Sequence, residues 1–228
     1  MTITGRIDQG RALQTLLLVL TTVSGLVDAV SYLKLGHVFV ANMTGNVVFV
    51  GFALAGATEV SAVPSLIAIM SFLLAALAAG RLERSMSASP ARLLSAAAAV
   101  QLAILLVVAA VGVVVSPSTD PARYVMVALL SAAMGIQSAT TTRLKVPGFN
   151  STVVLTTMLS TLASNSRLAG GSGAQNGWRI VAVLAMLTGG LAGTLLLFHV
   201  AVVAPVGLAA IVVAAVSVSA QLVGRRLA

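Results

Sequence analysis

The sequence predicts an all-α membrane protein, a polytopic bundle of six crossing helices and two re-entrant half-helices arranged as an inverted repeat. Three observations predict it. First, 59% of the 228 residues are hydrophobic and only 8% are charged, where a soluble domain is about 45–50% apolar and about a quarter charged. So little polar side chain cannot cover a water-facing surface, whereas a lipid-facing one needs none. Second, six apolar runs are long enough to cross about 30 Å of hydrocarbon at about 1.5 Å per residue. Third, the basic residues sit in the short connections between those runs.

In chain order, Arg6 and Arg11 precede the first run, 12–33. Val27 and Ala29 have the small-residue spacing of a signal-peptide cleavage site. The run is nevertheless long enough to span, and Asp28 inside it is foreign to a signal core, so a retained crossing helix is expected. Leu35 to Ala41 reads as non-helical and leads into a short apolar stretch, 43–57. Runs at 61–80, 93–115 and 122–141 follow. A second breaker, Lys145-Val146-Pro147-Gly148-Phe149, precedes another short stretch, 151–163. The segment from Gly170 to Gly177 reads as a flexible linker. The run 179–199 carries Gly189, Gly190 and Gly193, a face suited to close helix contact, and 202–222 completes the six.

Charge decides whether the short stretches cross. If all eight segments crossed from a cytoplasmic N-terminus, Arg81, Arg84, Arg92, Arg225 and Arg226 would lie outside. If the short two enter and return, eleven of the 13 basic residues fall inside and only Lys34 and Arg123 stay outside. Short loops are where the positive-inside rule holds best. Lengths agree, since extended residues 34–41 reach about 26 Å, to the midplane, while a helix over 43–57 is about 22 Å, short of a crossing. One integral membrane domain over 1–228 follows, with pseudo-repeats 12–115 and 122–222, in a bacterial-type inner membrane with both termini cytoplasmic. Three crossings per half invert the second copy, a plan common among transporters. Its faint echo is Gly25-Leu26-Val27-Asp28-Ala29 against Gly135-Ile136-Gln137-Ser138-Ala139.

Few polar residues interrupt the runs. Asp28, costly in hydrocarbon, needs a partner: Tyr32, Lys34, His37 or amides of the first short helix. Asn42-Met43-Thr44-Gly45-Asn46 is the densest polar cluster, with Asn42 placed to cap a helix starting near the midplane. The dipole end there suits an anion, a carbonyl or a water chain. In the second half, Asn150 is the matching cap, with Thr156 on the helix body. Gln137 and Ser138 stand where the first half has Val27 and Asp28.

Asp28, His37, Asn42, Thr44, Gly45, Asn46, Gln137, Ser138, Asn150 and Thr156 are therefore the candidate substrate-binding or pore-lining residues. Each has a structural reading beside the functional one, because small polar groups also cement helix packing. Cysteine is absent and only two histidines occur, so neither a metal site nor any cofactor is expected. No catalytic set can be assembled, so the chain is not expected to be an enzyme. The net charge of +8 belongs to the loops, and no aromatic-plus-basic cluster suggests nucleic acid.

The stretch from Gly25 to Asn46, together with Ala133-Met134-Gly135-Ile136-Gln137-Ser138-Ala139 and Val153 to Leu159, resembles the YoaK family of bacterial multi-pass membrane proteins of unknown function. Asn-Met-Thr-Gly-Asn is the most specific part. His37 stands where that family often has Gly, and Ser138 where it often has Asn. The resemblance implies a polytopic membrane protein and no particular activity. The site residues point to a small-solute transporter or channel; the alternative is a non-transporting scaffold or partner subunit. The expected partners are the lipid bilayer and an unidentified small solute, and homo-oligomerisation is left open.

Overall fold

In the computed structural model, residues 3–57, 61–85, 89–115, 119–144, 155–173 and 176–226 are described. They form eight α-helices: α1 (Ile3–Lys34), α2 (Met43–Leu54), α3 (Ala62–Ser85), α4 (Pro90–Val114), α5 (Asp120–Leu144), α6 (Leu155–Ser164), α7 (Asn176–His199) and α8 (Ala204–Arg226). A single 3₁₀ turn, Arg167–Ala169, lies between α6 and α7, and no strand occurs among the described residues. Six of the helices are long and apolar enough to cross a membrane. The remaining two, α2 and α6, have 12 and 10 residues, about 18 and 15 Å at the helical rise.

Proline sets where four of the long helices begin. Pro64, Pro90, Pro121 and Pro205 each fall in a first turn, where the missing N–H has no partner to lose and the fixed φ already suits a helix. At the other end of α1 the chain breaks sharply. Gly36 and His37 both adopt positive φ, 99° and 54°. His37 is thus a bulky residue in the left-handed region, where glycine is the residue at least cost. Residues 35–42 then run without helix to α2, with Leu35, Val38 and Val40 fully buried.

The long helices pair in a regular way. α1 lies against α7 and α8, α5 lies against α3 and α4, and α4 meets α8. α2 rests on α3, and α6 rests on α7. α1 is the most enclosed and α5 the next, while α3, α4 and α7 show most of their surface outward.

Glycine makes the tightest crossings possible. A β-carbon on Gly25 would strike the Met186 carbonyl oxygen of α7, and one on Gly135 would strike the Phe72 carbonyl oxygen of α3. Gly189 and Gly193 similarly take the backbone of α1 at Thr22 and Leu26, whereas Gly190 faces open space. Where lipid offers helices no hydrophobic drive to associate, such close approach supplies the dispersion contacts that hold them. At the far side of the bundle, Ser95 of α4 and Ser217 of α8 each donate to the other's carbonyl oxygen, at 3.0 and 3.1 Å.

Candidate functional site: a polar cavity between the two short helices

The segment that delivers α2 is held by two buried side chains. One oxygen of Asp28 accepts the backbone N–H groups of Val40 and Ala41 at 2.9 and 2.8 Å. Asn46, fully buried, accepts the Phe39 N–H at 3.0 Å and donates to the Phe39 carbonyl at 2.6 Å. Three amides and one carbonyl of an irregular strand are thereby satisfied without water, as buried backbone requires. Tyr32 stacks on Phe39 at 4.9 Å and meets His37 edge-on at 5.3 Å, which closes the outer side of the same segment with aromatic rings. Asp28 therefore finds its partners in amides just before the short helix, two residues short of its first turn.

Beyond this brace lies a cavity of about 340 Å³. Asn42, Thr44 and Gly45 reach it from the start of α2, and Thr156 from the start of α6. Thr21 and Ser24 come from α1, and Gln137 and Ser138 from α5. Phe49, Phe72, Met134 and Met186 supply much of the apolar remainder. Asn42 occupies the N-cap position of α2, yet its side chain makes no bond to the first helical turn. It is exposed, as Thr44 is.

Gln137 is fixed from three sides. Its Oε1 accepts from Gln101 Nε2 of α4 at 2.7 Å. Its Nε2 donates to Ser24 Oγ at 3.1 Å and to the Leu20 carbonyl at 3.3 Å, both on α1. Because a carbonyl oxygen only accepts, the Leu20 contact determines which end of the Gln137 amide is nitrogen. Gln101 must then present its own nitrogen. The orientation of the whole relay follows from one acceptor.

Residues 16–219 match a family described as proteins of unknown function, DUF1275. The chain belongs to the DUF1275 family. One relative, the UPF0700 transmembrane protein YoaK of Bacillus subtilis (strain 168), is 36% identical over 152 residues, a stretch covering 65% of this chain and 65% of that protein. No solved structure matches the chain. With a transmembrane relative and six long apolar helices, this DUF1275 member is a multi-pass membrane protein.

Of the residues the sequence singled out, the cavity of this DUF1275 chain gathers Asn42, Thr44, Gly45, Gln137, Ser138 and Thr156. Asp28 and Asn46 lie behind it as braces, and His37 is exposed beyond the end of α1. Asn150 lies outside the described residues.

Three polar residues escape a reading of the sequence. Thr21 and Ser24 look like ordinary helix hydroxyls, and each donates within its helix to the carbonyl four residues back. Gln101 interrupts the apolar run 93–115 as visibly as Asp28 interrupts the first, and that interruption was the available signal. Glu83 of α3 is a further buried acid, accepting from the Thr140 hydroxyl of α5. It borders a second cleft of about 370 Å³ between α3 and α4, floored by Ile136 and otherwise lined by alanine, leucine and valine.

Proposed function

We propose that this protein passes a small solute across a bacterial inner membrane, as a channel or transporter, through the cavity between α2 and α6. The observation that carries the reading is the cavity itself. Uncharged polar side chains from four helices converge there, at the starts of both short helices. Polar lining costs stability in a membrane protein and persists where it meets water or substrate.

In this reading the two halves form an inverted repeat, and the helix contacts are consistent with one. Exchanging the halves maps α1 on α7 to α5 on α3, α1 on α8 to α5 on α4, and α2 on α3 to α6 on α7. The two closest backbone crossings map as well. Gly25 and Gly135 hold the same place in the sequence echo, and Met186 and Phe72, which they meet, lie ten residues into α7 and α3 respectively. Substrate sites in such folds form where broken or short helices meet at the repeat interface. In this reading α2 and α6 are re-entrant, entering from opposite faces, and the N-terminus, the C-terminus and the Arg81–Arg92 connection are cytoplasmic.

The competing reading is a scaffold that moves nothing. Asp28 and Asn46 favour it, because the hydrogen bonds of both hold backbone. Stopped-flow light scattering on proteoliposomes separates the two readings. Under a glycerol or acetamide gradient, vesicles carrying the protein should re-swell faster than protein-free vesicles. Ser138→Leu, which fills the cavity, should return them to the protein-free rate. Equal rates with and without protein for both probes would leave the scaffold standing.

A further inference from the structure

We infer that the cavity selects an uncharged solute that both donates and accepts hydrogen bonds, such as a small amide or polyol. The inference rests on the cavity being a solute site and adds the chemical class of the solute.

Among the described residues, no Asp, Glu, Lys, Arg or His side chain lines the cavity. The nearest candidate for a counter-charge in the sequence, Asp28, is not in the cavity lining, and its Oδ1 accepts the Val40 and Ala41 amides. Consider an anion first. Taking one out of water costs several kcal/mol even after relaxation, and the starts of α2 and α6 offer about half a positive charge each, with no basic side chain beside them among the described residues. A cation meets Phe49 and Phe72, whose faces contribute about 0.5–2 kcal/mol, and no carboxylate. Neither balance closes. A neutral polar molecule carries no such desolvation cost and needs only its hydrogen bonds replaced.

The relay behind the wall shows which bonds are on offer. Both Nε2 hydrogens of Gln137 are engaged, by Ser24 and by the Leu20 carbonyl, while among the described residues Oε1 accepts only from Gln101. An amide oxygen has two lone pairs, so Gln137 retains capacity to accept and none to donate. Ser24 is the complement. Its oxygen already accepts from Gln137, and its proton has only the Leu20 carbonyl at 3.4 Å and the Met134 sulfur at 4.0 Å, both long for a hydroxyl donor. One acceptor and one under-used donor therefore stand side by side on the wall. The volume, about 340 Å³, is near the lower end of the range for ligand pockets, about 300–1,000 Å³.

Saturation-transfer difference NMR on the full chain in detergent tests this, with acetamide and glycerol set against acetate and methylammonium. Acetamide and glycerol should show transfer that Ser138→Leu removes and that Thr44→Val, which deletes one wall hydroxyl at constant size, reduces severalfold. Acetate and methylammonium should show none that either variant alters. Transfer to a charged probe that Ser138→Leu abolishes would overturn the inference. So would transfer to the uncharged probes that neither variant changes. Binding with this pattern but no vesicle flux keeps the solute class and removes the passage reading. Variant-sensitive flux of a charged probe does the reverse.

Discussion

Positions 28 and 138 hold the fourth place of the same five-residue echo in the two halves of the chain, yet they do opposite work. Asp28 is buried and holds the backbone that leads into α2. Ser138 stands in the cavity wall. The more polar residue is the one removed from the site. A carboxylate in an apolar interior is stable only when its lone pairs are filled, and filling them with backbone amides makes it part of the scaffold. A hydroxyl tolerates partial satisfaction at much smaller cost, so it can face a changing occupant. In this fold the acid at position 28 braces backbone, and uncharged side chains line the cavity.

Substitutions at these places can break that contrast. The largest effect is expected from Asp28→Leu, which orphans two buried amides at about 1–3 kcal/mol each and should lower the detergent melting temperature steeply. Asp28→Asn keeps an oxygen acceptor and should recover most of that loss. If Asp28→Asn instead kept the melting temperature but abolished glycerol flux, the acid would belong to the pathway and the contrast would fail.

Gly135→Ala comes next, because its β-carbon strikes the Phe72 backbone. Overpacking of this kind costs about 1–3 kcal/mol. Gly190→Ala, which meets open space, should leave melting unchanged.

Gln101→Leu should cost about 1 kcal/mol, the net worth of a hydrogen bond of this kind. It should reduce acetamide flux more than it reduces melting, since it removes one of the three bonds that fix the Gln137 amide in the cavity wall.

The smallest effect has the opposite sign. Ser131 Oγ is buried on α5 with no partner among the described residues, so Ser131→Ala should be neutral or stabilise by up to about 1 kcal/mol and leave flux alone.

The six long helices were legible because crossing hydrocarbon demands a run of apolar residues, and composition alone shows such runs. Both short helices were legible as stretches too brief to span. The role of Asp28 was not, because its partners are backbone amides, and every residue but proline has one. Asn46 was hidden for the same reason. Read as one cluster, Asn42, Thr44, Gly45 and Asn46 divide in the structure, since Asn46 turns back to Phe39 and away from the cavity that Asn42, Thr44 and Gly45 line. Glu83 was missed because the apolar run ends near Ala79, whereas α3 continues to Ser85. An acid between Arg81 and Arg84 reads as solvated, and its partner Thr140 is 57 residues away. Gln101 depended on a long-range pairing with Gln137 that no local pattern reveals.

The absence of cysteine from the chain permits a direct test of whether the centre is wet. Single substitutions Thr44→Cys, Ser138→Cys and Asn46→Cys, treated in intact vesicles with a membrane-impermeant thiosulfonate, should separate cleanly. The first two should be modified, with loss of glycerol flux, and the third should be protected. Protection of all three would mean a dry, packed centre and would contradict a passage between α2 and α6.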